Sequence, residues 1–251
     1  MKNTAISAVL VSLFASAGAN AGDGHAHWGY EGNVGPGHWG DLKQEYSTCK
    51  TGTRQSPIDI SHSERLEASL GNIKFDYKTV TPEIFNNGHT VQVNYGDGSK
   101  IKVGEQHYDL AQFHFHTPSE NTVNGKPFSM EMHLVHKNEN NELAVVGVFF
   151  KEGKHNDELQ KTWDKMPTKA GSREMLSGIN INAANLLPAK RDYAHFKGSL
   201  TTPPCSEGVN WFVMKEPIEA SKDQIAQFSS VIGNNARPVQ KKNNRFILTD
   251  D

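Results

Sequence analysis

His114, His116 and His133 are the side chains of this chain best placed to do chemistry. They sit in the strings Leu-Ala-Gln-Phe-His-Phe-His-Thr-Pro-Ser-Glu (residues 110–120) and Met-Glu-Met-His-Leu-Val-His (residues 130–136). Side chains alternate between the two faces of a strand, so Gln112, His114 and His116 share one face while Phe113 and Phe115 point the opposite way. The same period aligns Glu131, His133 and Val135 on a second strand. Three imidazoles from neighbouring strands close three corners of a tetrahedron around zinc and leave the fourth for water, which is the layout of a catalytic metal site. Gln112 and Glu131 each stand two residues before a candidate ligand, within reach of an outer ring nitrogen; an acceptor there fixes the tautomer and raises ligand basicity. With 12 histidines in the chain, a pair at i and i+2 can arise by accident. His133 with its own acidic neighbour separates the two readings, because three unliganded imidazoles on one buried face carry a desolvation cost with no return.

The elements that must position these residues are short apolar or alternating runs: 73–77, 90–95, 101–103, 110–116, 129–136, 143–150, 193–200 and 209–214. Residues 143–150 are almost unbroken apolar, as expected of a strand buried on both faces. Tyr95-Gly96-Asp97-Gly98-Ser99 predicts a hairpin turn, and Asn140-Asn141 and Glu152-Gly153 mark further turns. Helical spacing predicts helices over 155–166, ended by Pro167, over 181–187, ended by Pro188, and over 219–232, where Ile225, Phe228 and Val231 repeat and Gly233 stops the run. With no linker, repeat or low-complexity tract, the pattern is one mostly β domain with peripheral short helices, not a series of βαβ units.

Residues 1–21 read as a signal peptide: Lys2, an apolar stretch over 5–17, and the small-x-small form of Ala19-Asn20-Ala21. The stretch is too short to span a bilayer, and the glycine-rich polar segment that follows is unsuited to continuing a buried helix. Export then leaves residues 22–251 as the folded domain, about 230 residues, periplasmic or secreted. Lys and Arg total 26 against 28 Asp and Glu, a formal charge of -2 that favours neither nucleic acid nor an anionic membrane. The two cysteines, Cys49 and Cys205, invite one disulfide in an exported protein. Closing so long a loop is worth on the order of 4 to 5 kcal/mol by the unfolded-chain argument. Two free buried thiols, or metal ligation by Cys205, are the alternatives.

A family resemblance rests on motifs in order: His27-Trp28-Gly29-Tyr30, Gln55-Ser56-Pro57-Ile58-Asp59-Ile60, Asn86-Asn87-Gly88-His89, Gln112 to His116, Ser119-Glu120, Glu131 to His136, and Ser199-Leu200-Thr201-Thr202-Pro203-Pro204-Cys205. Together, over residues 27–245, they resemble the alpha-class carbonic anhydrases. The short Thr117-Pro118-Ser119-Glu120 connection and the cysteine pair are similar to the secreted bacterial members. The resemblance implies a central, twisted, mostly antiparallel ten-stranded sheet with Zn(2+) in a conical cleft. It also implies reversible hydration of CO2 by water to bicarbonate and a proton, through zinc-hydroxide attack and a histidine proton shuttle. Zinc lowers the pKa of its bound water to about 7, a shift for which carbonic anhydrase is itself the standard example.

Residue by residue, the resemblance makes His114, His116 and His133 the zinc ligands, with Gln112 and Glu131 behind them. Thr201 accepts the hydrogen of the hydroxide and passes its own to Glu120. A threonine hydroxyl has one hydrogen to give, so an ionised carboxylate partner turns its lone pair toward the nucleophile. His89 is the shuttle, apt because histidine titrates near neutral pH, with Tyr30, Asn87 and Gln92 around its water path. Val135, Val145, Leu200, Val209 and Trp211 form the apolar pocket, and Thr202 lines the polar side. Cis bonds are implied at Ser56-Pro57 and Pro203-Pro204. Asn121 departs from the usual histidine after Ser-Glu, and Gln92 from a common asparagine. A homodimer is open. One rival reading is a cupin in which Glu120 is a fourth ligand and iron or manganese fits, but Pro118 intervenes and Thr201 goes unused. Another is an inactive zinc-holding binding module, which would have lost a ligand; here all three are present. Ester hydrolysis is an expected side reaction.

Overall fold

The computed structural model describes residues 27–250, so the expected signal peptide and the start of the domain lie outside the described residues. The runs read as strands all form strands, because each offers an apolar face every second residue. In chain order they are β1 (Arg65–Glu67), β2 (Lys74–Asp76), β3 (Glu83–Asn86), β4 (Val91–Asn94), β5 (Lys100–Val103), β6 (Gln106–His116), β7 (Met130–Lys137), β8 (Leu143–Glu152), β9 (Arg173–Met175), β10 (Tyr193–Ser199), β11 (Glu207–Met214), β12 (Ile218–Ala220) and β13 (Ile247–Thr249). They make one 13-stranded sheet, ten of them along the path β1-β13-β10-β11-β8-β7-β6-β4-β3-β9. Off that path, β12 and β5 pair with β8 and β6, and β2 with β5. The pairing is antiparallel except where β1 meets β13 and where β8 meets β11 and β12.

Each face of the sheet buries a different set. Phe113, Phe115, Leu134, Val146 and Val148 enter the larger core, which the helices Asp157–Trp163 and Lys222–Ile232 cover through Leu159, Trp163 and Phe228. Val145, Phe149, Phe196, Val209, Trp211 and Val213 form a second apolar cluster on the opposite face. Strand β8, inside the sheet and buried from Ala144 to Phe150, serves both.

Three expectations change. The 95–99 segment is not a hairpin turn: β4 and β5 do not pair with one another but lie end to end along β6. Tyr95 donates its amide to Ala111 and Ser99 accepts that of Leu110. The 11 residues of β6 are long enough to pair with both in turn, so the Gly-Asp-Gly turn bulges out of one sheet edge and returns to it. The last helix starts at Lys222, not 219, because Ser221 and Gln224 form a capping box that fixes its first turn; Ile218–Ala220 instead pairs with the end of β8. Residues 181–187 contain only a 3-10 turn, Ala183–Leu186.

Cys49, in the short helix Thr48–Thr51, is disulfide-bonded to Cys205 across 156 residues of sequence, against buried Trp39. On the unfolded-chain argument the link stabilises the fold by up to about 5 kcal/mol. Thermal unfolding with and without reductant checks this: the melting temperature falls by on the order of 10 °C when the bond is reduced, and an unchanged melt contradicts the estimate of its weight.

Candidate active site

Strands β6 and β7 pair so that His114 faces His133, His116 faces Glu131 and Gln112 faces Val135. A bulge falls between Leu110 and Gln112, and such an extra residue re-aims the side chains beyond it. Gly147 of β8 stands opposite His133. A Cβ there would meet Glu131 Oε1 at 3.0 Å, so the glycine makes room for that carboxylate.

His114 and His116 are each held through one ring nitrogen, and His133 lies with one ring nitrogen against a carboxylate. His114 Nδ1 donates to Gln112 Oε1 at 2.8 Å and His116 Nδ1 to the carbonyl of Asn235 at 2.8 Å. Both therefore keep the Nε2 lone pair. His133 Nε2 lies 3.1 Å from Glu131 Oε1, close but not aligned as a hydrogen bond, which leaves Nδ1 for the cleft. One nitrogen from each of the three residues comes within 4.8 Å of the others. Burial pushes the pKa of all three rings down, His116 to about 4, and the neighbouring imidazoles lower His114 and His133 further. Neutral rings with free lone pairs are what a metal ion requires. The fit is supported by His116 Nε2, fully buried with no hydrogen-bond partner among the described residues, an arrangement that is costly unless something binds it.

Glu120 lies beside this group with Oε2 3.4 Å from His116 Nε2 and 3.8 Å from His133 Nδ1. Burial raises its pKa well above the ordinary carboxylate range; the Arg237 amide and the Thr201 hydroxyl pull it back as donors. The amide reaches Oε1 at 2.9 Å, while no well-aligned hydrogen bond reaches Oε2. Glu131 accepts from the amides of Glu120 and Asn121 and from Asn121 Nδ2 at 2.8 Å. Asn121, which read as a departure, thus satisfies the carboxylate behind His133, and its own oxygen accepts the Ile58 amide.

The three histidines form the floor of a cleft of about 260 Å³. Val135, Val145, Leu200 and Trp211 make one wall; Tyr30, Asn87, His89, Gln92, Thr201 and Thr202 also line it. Val209 is not among the lining residues; it is buried beside Trp211 on the same face of β11, in one apolar cluster with Val145. Asn87 spends its side-chain oxygen on the amides of His89 and Thr90, so it builds the turn that carries His89. Gln92 donates to Asn94, which donates to Glu83. The Tyr30 hydroxyl is buried without a hydrogen-bond partner among the described residues, and burial, then Glu120, raises its pKa. His89 stands half-buried at the mouth, stacked on Trp28 at 3.7 Å and facing His27 at 5.6 Å. Burial, and then the charge of His27, lowers its pKa.

Leu200 to Ser206 is closed on itself by Leu200 N–H to Ser206 and Cys205 N–H to Thr202. Peptide bonds are cis at Ser56-Pro57 and Pro203-Pro204, as implied, and also at Thr117-Pro118. Two organising residues escaped the sequence reading. Arg237 is fully buried and binds the carbonyls of Ser56 and Cys49 and the side chain of Gln55. Asn235 holds His116 through its carbonyl, the Thr117 amide through Oδ1, and the carbonyls of His89 and Phe115 through Nδ2.

Fold and site define a β-sheet protein with a three-imidazole centre that can hold a metal at the base of a half-apolar cleft. The family model described as eukaryotic-type carbonic anhydrase matches residues 34–251. A carbonic anhydrase of Nostoc sp. is 45% identical over 88% of this chain and 85% of its own; one of Pectobacterium carotovorum is 42% identical over 99% and 100%. The solved alpha-carbonic anhydrase of Thermovibrio ammonificans, in complex with the inhibitor sulfanilamide, superposes with a TM-score of 0.87 at 48% identity, covering 90% of this chain and all of that one. The chain belongs to the eukaryotic-type, or alpha, carbonic anhydrase family.

Proposed function

We propose that this chain, a carbonic anhydrase by family, converts CO2 and water to bicarbonate and a proton, reversibly, with zinc held by His114, His116 and His133. The observation that carries the reading is the convergence of three imidazoles, His116 and His133 buried and His114 partly so, each with an unspent ring nitrogen, within 4.8 Å of one another. Three nitrogen donors and no carboxylate in the set suit zinc and leave the metal its full charge. When bound, zinc supplies an acidified water, and so a nucleophile near neutral pH.

The protein's part is to orient and to move protons. The Thr201 hydroxyl gives its hydrogen to the Glu120 carboxylate and turns a lone pair to the incoming nucleophile, which restricts it to a productive direction. Val135, Val145, Leu200 and Trp211 offer CO2 an apolar wall without polar competition, and Val209 packs beside Trp211. Gln112 and Glu131 hold the tautomers of His114 and His133, and Asn235 does the same for His116. Export and cleavage after residue 21, leaving the domain 22–251, are part of the proposal; the disulfide supports an oxidising destination. Stopped-flow CO2 hydration by natively purified protein of known metal content tests the whole. No rate above the uncatalysed one at full zinc occupancy refutes it, and iron or manganese at one equivalent favours the cupin alternative.

His89 is proposed to pass the released proton between the cleft and bulk buffer, with Tyr30, Asn87 and Gln92 shaping the path. In weak buffer, His89→Ala lowers maximal turnover by about tenfold or more and barely changes kcat/KM for CO2, which reports steps before the proton leaves. Added imidazole restores part of the turnover. If both parameters fall together and imidazole rescues neither, His89 only supports the cleft.

A further inference from the structure

A second cavity of about 190 Å³ opens further along the same sheet face. Strand β8 gives Val145 to the cleft and Phe149 to this cavity, and β11 gives Trp211 and Val213 in the same way. Its walls include Ile60, Val123, Phe128, Phe149, Val213 and Met214, with Phe128 stacked on Phe149 at 4.5 Å. His62, Arg65 and Lys215 complete the lining, and no acidic side chain takes part among the described residues. Lys215 donates to the carbonyl of Asp250. Arg65 differs: its Nε, shielded from solvent, has no hydrogen-bond partner among the described residues. It opens the edge strand β1 in register with buried Ile247, and so carries a guanidinium to the rim of an apolar hole.

Two separate costs meet here. A rim of basic side chains with no acidic partner in the lining is left without a counter-charge, and apolar walls in contact with water forgo the gain of burial. A hydrocarbon would fill the walls and leave Arg65 unpaired; phosphate would pair Arg65 and leave the walls bare. A carboxylate on a ring answers both, since guanidinium and carboxylate match as a bidentate pair. The size agrees, because an apolar cavity of about 150 Å³ accepts benzene. We propose that this cavity is a binding site for small aromatic monocarboxylates, with the carboxylate on Arg65 and the ring between Phe128 and Val213. It is separate from the histidine cleft and independent of the reaction there.

The test uses 4-bromobenzoate on the whole zinc-loaded protein. Crystals soaked in it give an anomalous bromine peak in the Phe128–Val213 cavity, and titration in solution gives saturable binding. Arg65→Gln weakens that binding by at least about tenfold, the loss expected for one charged hydrogen-bond partner, while leaving CO2 hydration unchanged; Arg65→Lys falls between. The neutral 4-bromobenzamide binds the parent protein at least about tenfold more weakly by the same reasoning, a comparison that needs no variant. Bromine found only in the histidine cleft, binding seen at crystal concentration only, or acid and amide bound alike overturns the proposal.

Discussion

His133→Ala yields a protein that folds, retains no stoichiometric metal and hydrates CO2 at least about a thousandfold more slowly than its parent, because the group that generates the nucleophile is gone. Two imidazoles cannot hold a catalytic zinc as three do, and even a lost outer partner costs about 10- to 100-fold in metal affinity. The fold survives because the larger apolar core lies on the other face of the sheet and a domain of this size has enough buried surface without the metal. Metal analysis of natively purified variant and parent, with circular dichroism for the fold, reads the result. Full zinc occupancy at parental rate would remove His133 from the ligand set.

Thr201→Ala has the second largest expected effect: kcat/KM for CO2 falls by about a hundredfold, the scale on which enzymes lose rate when one orienting hydrogen-bond group is removed. Zinc content stays at one equivalent, since Thr201 is not a ligand, and this separates the variant from His133→Ala. Two things are lost together. The nucleophile loses its orienting acceptor, and Glu120, already buried with one oxygen lacking an aligned partner, loses a donor that lowers its pKa. Thr201→Ser, which keeps the hydroxyl, recovers most of the rate. A parental rate in the alanine variant would break the proposed Thr201–Glu120 partnership.

The metal cluster was legible because it is written in local periods. Alternation along β6 and β7 fixes which side chains share a face, and one register then brings His114 opposite His133. Strands β4 to β8, β10 and β11 are legible for the same reason, whereas the four-residue β3 (Glu83–Asn86) is not. Arg65–Glu67, Arg173–Met175 and Ile247–Thr249 are too short to display an alternation, and they become strands only because a neighbour offers its edge. The turn at 95–99 was misread because a Gly-Asp-Gly signal states that the chain turns, not which strand it meets afterwards. The resemblance puts Val209 in the cleft, whereas it is buried beside Trp211, and how far along the strand the cleft reaches depends on packing. Asn235 and Arg237 follow the last helix in a polar stretch that reads as an ordinary loop; their importance lies in contacts more than 100 residues distant, and no local pattern encodes those.

Asn235 also sets an order of assembly. All three imidazoles are synthesised by residue 133, but the carbonyl that orients His116 and the amide that holds Glu120 belong to Asn235 and Arg237. A nascent chain therefore carries the donors through the rest of its synthesis without the geometry that makes them a pocket. During that interval each histidine is a loose, solvated base with no advantage over any other in the cell. For the proposed zinc centre, donor geometry is then a property of the finished tertiary structure, completed only when the segment carrying Asn235 and Arg237 packs against His116 and Glu120.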